Sequence, residues 1–558
     1  MSEKTRQPKA SFSGWRAPVA IGIIIAASVL AYHNSLQGPF IFDDFESIVD
    51  NQTIRHLWPL REVLSPPGGW MAIQNRPIVN LSLAINYAIG DLDVLGYHFF
   101  NLVVHILATL TLFGIIRRTL RLPVVPESIA AGAAPMALIS ALIWTVHPLQ
   151  TEAVTYIIQR TESMMGLFYL LTLYCAIRGA GASSPGRWYL AAVAACTLGT
   201  GCKEVMVSAP LIVLIYDRVF LSHSFKEVFR RRWTLYVGLA VTWVLLAALV
   251  LPAGGRAGSA HIGYWESLHA YAMSQCIVIV RYLRLCFWPH PLIMDYGLLV
   301  TGPAPSVLPY AVIIILLLVA TIWALCRRPR FGFLGLWFFA ILAPSSSIMP
   351  LLVQPSAEKR MYLPLAAAIV AVVVCAHAIG RSLINRLGLS KGPVAIVGRL
   401  AAVGLGGTVV VILGFLTVGR NGDYRSRISI WQDTVNKLPQ NCRAWNNLGV
   451  AHAEQGNYNR AIDNYNIALR LYPEFADAYL NRGHTYRDKG RYKQAISDYS
   501  EAIKLNWHLP KVYASRAQAY FFTRQYEEAW SDVKACQGFG GKVQPGFLAA
   551  LGRASGRR

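Results

Sequence analysis

The sequence predicts an all-α protein in which a polytopic bundle of transmembrane helices is followed by a solenoid of short helical repeats. Three observations lead to this fold class. Of the 558 residues, 54% are hydrophobic and only 15% are charged, and the mean hydropathy is +0.39, which is more apolar than an ordinary globular domain. Long apolar runs recur along the first three quarters of the chain. After residue 419 the composition becomes polar and a 34-residue period appears, which is typical of stacked helical repeats.

The apolar runs predict about eleven membrane spans, because each is long enough to cross or nearly cross about 30 Å of hydrocarbon. A further apolar stretch, 268–288, contains Arg281 and Arg284. An arginine at the bilayer centre costs about 2.5–3.5 kcal/mol, so we expect this stretch to lie at the interface. The first run lacks a small-residue cleavage site and is expected to remain as a helix. The predicted spans are 18–36, 98–116, 132–147, 163–177, 188–202, 205–220, 234–252, 303–325, 331–344, 362–380 and 399–418.

The net charge of +23 is explained by loops rather than by nucleic-acid binding, and no nucleic-acid partner is expected. Basic residues cluster between the apolar runs, which is the pattern of cytoplasmic loops. Placing these clusters inside leaves the acid-rich loop 37–97 and everything after residue 419 on the outer side. The nine cysteines have no regular spacing and indicate neither a disulfide framework nor a zinc site.

The C-terminal region repeats aromatic and small residues at fixed intervals, as Trp445, Tyr479 and Tyr513 illustrate. The stretch AWNNLGVAHAEQGNYNRAIDNYNIALRLYP, residues 444–473, matches the tetratricopeptide pattern. Such an array alone predicts a surface that binds proteins or peptides. The predicted domains are a transmembrane domain (1–419), a linker with a half-repeat (420–441), three tetratricopeptide repeats (442–543) and a C-terminal tail (544–558).

An acidic pair stands directly after the first span, in the sequence GPFIFDDFESIVDN of residues 38–51. The chain has only 29 acidic residues against 52 basic ones, so the position of Asp43 and Asp44 beside a membrane-entering helix needs an explanation. One explanation is a solvated loop that is acidic. The other is a catalytic carboxylate at the lip of a pocket in the membrane.

Further charged residues lie at the predicted outer ends of spans. Glu152, Tyr156 and Arg160 are four residues apart and would share one side of a helix, which also fits a surface amphipathic helix. Lys203 and Glu204 occupy a tight turn and could be a simple turn pair. Together these charges are functional candidates, because arginine and lysine suit phosphate and a carboxylate suits deprotonation of a hydroxyl. Other members of the set are Arg76, Asp295, Glu358, Lys359 and Arg360.

These motifs resemble those of the transmembrane and tetratricopeptide-repeat O-mannosyltransferases and their bacterial relatives, within the GT-C glycosyltransferase superfamily. The resemblance implies a GT-C-like transmembrane domain, a polyprenyl- or dolichyl-phosphate sugar donor and an acceptor presented from outside. One departure is Lys359-Arg360-Met361, where an aromatic-rich stretch would be expected. The motifs that carry the resemblance are Phe42-Asp43-Asp44, Arg76-Pro77, His147-Pro148, Thr151-Glu152-Ala153, Lys203-Glu204, Arg360 with Tyr362-Leu363-Pro364, and the repeats.

The resemblance also implies roles for single residues. The catalytic base would be Asp43 or Asp44, with Asp43 preferred as the first of the pair. The donor phosphate would be held by Arg360, Lys203 and Arg160, and the supporting residues would be Glu152, Glu204, Arg76 and Glu358. No metal ligands are assigned, because His98, His105 and His147 are expected to be packed or hydrogen-bonded rather than to bind a metal; a divalent metal requirement is left open, and the only cofactor-like molecule expected is the polyprenyl-phosphate sugar.

The resulting hypothesis is a multi-pass glycosyltransferase that moves a sugar, mannose by resemblance, from a polyprenyl phosphate to a hydroxyl, expected to be a protein Ser or Thr. Its partners would be the lipid-linked donor and a protein or peptide acceptor that binds to the repeats. The protein would lie in a bacterial inner membrane, with the repeats in the periplasm. The sequence does not specify the sugar, the lipid, the acceptor or the oligomeric state. The alternative is a non-enzymatic, membrane-anchored repeat scaffold for envelope assembly or secretion. Transport is less favoured, because the acids lie at span ends.

Overall fold

The computed structural model describes residues 16–66, 72–251, 265–297, 304–348, 354–386, 393–506 and 510–557. All regular secondary structure in these ranges is helical, so the predicted all-α class is confirmed. The chain forms two compact units. The first contains Met1–Leu292 and Leu299–Arg425, and the second contains Ile293–Leu298 and Ser426–Arg558.

The first unit is a helix bundle whose members differ widely in length. Several of them are interrupted at their ends by short 3₁₀ or π-helical turns, as at Glu204–Ser208 and Asp217–Leu221. Its helices are α1 (Arg16–Tyr32), α2 (Leu60–Val63), α3 (Pro77–Gly90), α4 (Val94–Thr119), α5 (Glu127–Ala130), α6 (Ala133–Thr145), α7 (Thr151–Thr155), α8 (Arg160–Ala180), α9 (Pro185–Thr200), α10 (Ala209–Tyr216), α11 (Phe225–Val250), α12 (Trp265–Phe287), α13 (Ala304–Arg327), α14 (Pro329–Ala343), α15 (Pro364–Arg386) and α16 (Pro393–Asp423).

Seven segments in the described part of the chain are long and apolar enough to cross a membrane. Each of the eleven predicted spans falls on a helix, but α6, α9, α10 and α14 are too short to qualify, so the predicted count of about eleven is not confirmed. Proline explains two of the short helices, because Pro148 and Pro344 follow α6 and α14 closely and disfavour further helix. The seven segments are Ala17–Ser35, Val94–Thr119, Ile157–Ala180, Phe225–Val250, Ser306–Arg327, Pro364–Arg386 and Leu400–Asp423.

The core of the bundle is formed by α4, which packs against both α6 and α8. His105 of α4 shares a hydrogen bond of 2.9 Å with the Tyr362 hydroxyl, and the Trp144 indole N–H donates to the Tyr362 carbonyl over 2.9 Å. These contacts fix the start of α15 against α4 and α6. In contrast, α13 and α16 expose large apolar side chains such as Leu316 and Phe415, as expected of helices that face lipid.

The second unit contains three helix pairs, α18/α19, α20/α21 and α22/α23, which are the predicted tetratricopeptide repeats. The half-repeat predicted at 429–439 forms α17, and the predicted tail contains α24, which buries Leu551 against α22 and α23 and so caps the array. The predicted domain boundary at residue 419 lies inside α16. The helices of this unit are α17 (Arg427–Lys437), α18 (Cys442–Glu454), α19 (Tyr458–Leu471), α20 (Ala476–Asp488), α21 (Tyr492–Leu505), α22 (Pro510–Phe522), α23 (Tyr526–Gly538) and α24 (Pro545–Ser555).

A short segment from elsewhere in the chain belongs to the repeat unit. The Asp295 carboxylate accepts a hydrogen bond of 2.6 Å from Arg443, and the Asp295 carbonyl accepts one of 2.7 Å from Asn441. Asp295, which the sequence placed among the charged residues near the membrane, therefore anchors its segment at the start of α18.

Arginines at equivalent repeat positions join successive repeats. Arg482 of α20 donates to both carboxylate oxygens of Asp498 in α21, over 2.8 and 2.7 Å, and to Asn466 of the preceding repeat over 2.6 Å. Arg516 repeats the arrangement 34 residues later with Asp532 and Ser500. A bidentate pair is directional as well as strong, so each guanidinium sets the angle between three helices.

Close packing within each repeat predicts that Gly483→Ala destabilises the second unit. A Cβ at this position would lie 2.7 Å from a ring carbon of the buried Tyr499, and overpacking of this kind costs about 1–3 kcal/mol. The expected result is a lower denaturation midpoint for the repeat unit of the full-length protein, followed by the far-ultraviolet circular dichroism of the helices. Gly538→Ala is the matched control, because nothing lies within 4 Å of its added methyl group. Equal stability of the two variants would contradict the prediction.

Candidate active site

The acidic pair lies in the loop between α1 and α2, where a π-helical turn, Phe45–Val49, follows Asp44. The Asp44 side chain is buried and both of its oxygens are used. One accepts a hydrogen bond of 2.9 Å from the backbone N–H of Ile41, and the other accepts one of 2.8 Å from the N–H of Ile158. Asp44 therefore ties the first outer loop to the turn that precedes α8.

Burial raises the pKa of Asp44 to about 8, from an ordinary value of 3.8. The two backbone N–H groups lower the pKa, and Arg160 lowers it further, while the negative charge of Asp43 raises it. Loss of hydration outweighs the stabilising contacts because water is excluded from both oxygens. The Asp44 carboxyl is consequently mostly protonated at neutral pH.

Asp43 has a different environment from that of its neighbour. Its side chain is only partly buried, and its backbone N–H donates to the hydroxyl of Tyr156 over 2.9 Å. The preceding residue, Phe42, has a φ of 43°, a conformation that is strained for a bulky side chain and is often found at functional sites. Burial and the nearby charges of Asp43 and Asp44 raise the pKa of Tyr156 well above its usual value, so the hydroxyl that holds the loop stays neutral.

Glu152 of α7 and Lys359 form a buried ion pair that joins two distant parts of the chain. One Glu152 oxygen accepts a hydrogen bond of 2.8 Å from the backbone N–H of Lys359, and the other lies 3.4 Å from its ammonium nitrogen. Burial lowers the pKa of Lys359, the carboxylates of Glu152 and Asp43 raise it, and Lys203 and Arg360 lower it. Asp43, Glu152, Lys203 and Arg360 thus lie within electrostatic range of Lys359, and these five residues are called the charge cluster below.

Lys203, a member of the charge cluster, forms a second buried ion pair with Glu162 of α8. The sequence placed Lys359 among the charged candidates without giving it a role, and it did not single out Glu162. Glu162 lies two residues beyond Arg160, and only its burial against Lys203 distinguishes it from a surface residue. Arg76 and Glu204 form a third, more distant pair, with 3.7 Å between nitrogen and oxygen.

Arg360, predicted to hold the donor phosphate, is buried in the structure, with 4% of its surface exposed. Its guanidinium donates to the carbonyls of Pro355, over 2.7 Å, and Gln354. Arg360 therefore stabilises its own turn, and its substitution should affect folding as well as the binding of any ligand. Glu358, in the same turn, is also buried.

Arg160, also predicted to bind the donor phosphate, is enclosed by neighbouring helices. It is fully buried, donates to Asn86 over 2.6 Å and to the Tyr97 carbonyl over 3.1 Å, and covers the Phe100 ring at 4.6 Å. This geometry favours a structural role that joins α3, α4 and α8 over a role in binding phosphate. In the parts of the chain that the structure describes, no group of three His, Cys, Asp or Glu side chains could hold a metal ion.

Comparison with known proteins agrees with these features. The tetratricopeptide-repeat family matches residues 419–474 and 446–510. Protein O-mannosyl-transferase TMTC4 of Homo sapiens is 24% identical over 500 residues, which cover 78% of this chain and 64% of the relative. Protein O-mannosyl-transferase tmtc2 of Xenopus laevis is 30% identical over 247 residues, covering 40% of this chain and 28% of the relative. The chain is similar to protein O-mannosyl-transferases. The resemblance drawn from the motifs is confirmed, and a bacterial origin stays a prediction.

The chain spans less than two thirds of the length of these relatives. Among solved structures, ArnT from Cupriavidus metallidurans bound to undecaprenyl phosphate aligns with 86% of this chain and 79% of its own length, at a TM-score of 0.38 and 15% identity.

The burial of Asp44 predicts an unusual pH dependence of stability. Its pKa is about 8 in the folded protein and 3.8 ordinarily, so the native state holds the proton more tightly than the unfolded state does. The stability that this proton contributes is complete below about pH 4 and is lost as the pH rises towards about 8. Asp44→Asn should flatten this slope.

At acidic pH, where the carboxyl is protonated in both states, the same substitution should lower stability by about 1–3 kcal/mol, since one amide N–H would then face the asparagine NH₂. The measurement is the melting temperature of purified protein from about pH 4.5 to about pH 8.5. Asp50→Asn, an exposed acid in the same loop, serves as the control. An unchanged slope in Asp44→Asn would contradict the assignment.

Proposed function

We propose that the protein is a membrane glycosyltransferase that moves one sugar from a polyprenyl-phosphate donor to a hydroxyl acceptor, a Ser or Thr of a protein, on the outer side of the membrane. The sugar is mannose if the similarity to protein O-mannosyl-transferases extends to the donor. The observation that carries the proposal is the contrast between Asp43 and Asp44. Asp44 is buried and bonded to two backbone amides, whereas the adjacent Asp43 is partly accessible, and a pair of carboxyls in contrasting environments is a common property of acid–base sites.

In this proposal Asp43 is the general base. Asp44 is buried, mostly protonated and bonded to two amides, so it cannot accept the acceptor's proton and instead holds the loop. Asp43 is partly accessible and lies within electrostatic range of the Lys359 ammonium group.

The proposed reaction is a single inverting displacement without redox chemistry. Asp43 removes the proton of the acceptor hydroxyl, and the hydroxyl oxygen attacks C1 of the sugar. The bond between C1 and the phosphate oxygen breaks, and its electron pair leaves with the lipid phosphate. The products are the glycosylated acceptor and the lipid phosphate, and the protonated Asp43 returns its proton to water.

The cations of the charge cluster would stabilise the departing phosphate. Lys203 and Lys359 are each buried against one carboxylate, so each positive charge has an opposite charge beside it. Arg360 supports this site from the adjoining turn, and its two backbone contacts keep the turn rigid. Glu152, Glu162 and Glu358 act as positioning residues for these cations.

Asp43→Asn should abolish sugar transfer and leave the protein folded and inserted. Asparagine keeps the shape of the side chain but cannot accept a proton, and a positioned general base contributes about 10²–10⁴-fold in rate. The assay is transfer of radiolabel from polyprenyl-phosphate mannose in isolated membranes. Glu46→Gln is the matched control, because it neutralises an exposed acid of the same loop.

Residual activity of more than about 5% in Asp43→Asn would be too high for a general base. If the wild-type protein and both variants transfer no sugar from any polyprenyl-phosphate donor, the enzyme proposal fails. The membrane-anchored repeat scaffold would then be the better account.

The proposal requires the repeats to lie on the same side of the membrane as the acidic loop. A cysteine at Gln455, an exposed turn residue between α18 and α19, should react with a membrane-impermeant maleimide added from the outer side of cells. A cysteine at Lys226, exposed at the start of α11, should react only after the membrane is opened. Both are introduced after the exposed Cys326 and Cys375 are replaced by alanine. The reverse pattern would overturn the topology.

A further inference from the structure

The outer end of α16 is fixed against the segment that carries Glu152. Thr155 of α7 donates to the Asn421 side chain over 2.8 Å, and the Asn421 amide donates to the Ala31 carbonyl of α1 over 2.8 Å. One turn earlier, Thr417 donates to the Val146 carbonyl over 2.7 Å. The last turn of α16 therefore has a defined position beside α1, α6 and α7.

Tyr424 follows this turn directly and is 2% exposed. The Arg420 guanidinium lies 5.4 Å from the centre of its ring, which fixes the side chain from one side. In the described part of the chain, no hydrogen-bond partner lies within reach of the buried Tyr424 hydroxyl. A buried hydroxyl without a partner is unfavourable, and such groups in native structures call for an explanation.

The surroundings of this hydroxyl are those of the proposed active site. Glu152 and Glu358 lie within electrostatic range of Tyr424, as do Arg420 and Asp423. Burial raises the pKa of Tyr424 above its usual value, so the hydroxyl keeps its proton and can donate it in a hydrogen bond.

Two further buried polar atoms lie next to Glu152 in the chain. The Gln150 side-chain oxygen and the Thr151 hydroxyl are both buried and, among the residues described, have no hydrogen-bond partner. The turn Pro148–Gln150 and helix α7 both pack against α16. Gln150, Thr151 and Tyr424 thus lie in or directly after elements that pack against one another, and Glu152 lies within electrostatic range of Tyr424.

We propose that Tyr424, Thr151 and Gln150 form a subsite that binds the hydroxyl groups of the donor's sugar ring. Neutral hydroxyl and amide groups beside two carboxylates suit a polyhydroxylated ligand, because the carboxylates accept hydrogen bonds from sugar hydroxyls and repel phosphate. The inference rests on the proposed glycosyltransferase function and adds to it residues that select the sugar. Tyr424 supplies the most selective contact, since a site built around a hydroxyl discriminates against an analogue that lacks it.

Tyr424→Phe tests the subsite, because it removes a single oxygen atom. With polyprenyl-phosphate mannose as the donor, kcat/KM should fall about 3–10-fold, the value of one hydrogen bond between neutral groups. The same assay is run with donors that carry 2-, 3-, 4- or 6-deoxymannose. For one of these donors the wild-type protein and the variant should have the same kcat/KM, because the donor then lacks the hydroxyl that the tyrosine would contact. Tyr499→Phe is the control, since the Tyr499 hydroxyl of α21 is also buried and unpartnered among the described residues, and it should leave kcat/KM unchanged.

Each other outcome overturns the inference. If Tyr424→Phe has the same kcat/KM as the wild type with polyprenyl-phosphate mannose, the Tyr424 hydroxyl makes no contact with the sugar. If it loses the same factor with all of the donors, or if the loss varies only with the acceptor peptide, the contact belongs to another part of the reaction. Wild-type protein that neither transfers sugar from these donors nor is thermally stabilised by them would refute the proposed function itself, and the subsite with it.

Discussion

Ionisable groups buried at the outer ends of the bundle helices must be paired, because an isolated charge taken out of water costs several kcal/mol or loses its charge. In this protein the two partners usually come from segments far apart in the chain. Glu152 pairs with Lys359, 207 residues away, and Glu162 pairs with Lys203. A helix could slide or rotate over an apolar neighbour at little cost, but it cannot do so without separating these charges. The ion pairs therefore determine how α7, α8 and the turn before α15 are arranged, and the aspartate loop is attached to that arrangement through Tyr156 and Ile158.

The same constraint explains why two adjacent aspartates behave differently. Asp44 is buried beside Arg160 but makes no ion pair with it, and its contacts are two backbone N–H groups. These contacts do not compensate for the loss of water, so its pKa rises. Asp43 keeps partial contact with solvent. The loop thus holds one buried carboxyl that fixes its shape and one carboxyl that keeps partial contact with solvent, and the strained backbone of Phe42 is maintained by the contacts on either side of it.

The sequence predicted the features that depend on local patterns. The repeats were found because their packing repeats every 34 residues, and the aspartates were found because an acidic pair beside a span is conspicuous. The predicted spans at α6 and α14 match the observed helices closely, but at 13 and 15 residues these helices are shorter than a full membrane span. Burial was not predictable: Arg360 and Arg160 were both expected to hold the donor phosphate, and the structure buries both. Glu162 and Tyr424 were missed because their significance comes from partners, or the absence of a partner, in segments that only folding brings close to them.

The pairing of buried charge also bears on how a phosphate could be bound under the proposed function. A lysine at the surface would have to shed its water when the phosphate arrives, and that cost would reduce the net gain. Lys203 and Lys359 lose most of their water when the protein folds, and this loss costs folding stability. Before a phosphate arrives, each ammonium group is paired with a carboxylate. Phosphate oxygens that reach these ammonium groups meet donors that are dry and oriented, the condition under which electrostatic contacts stabilise a transition state most strongly. The carboxylates that remain nearby oppose tight binding of the phosphate product, so the arrangement that holds the bundle together also favours release of the lipid phosphate after transfer.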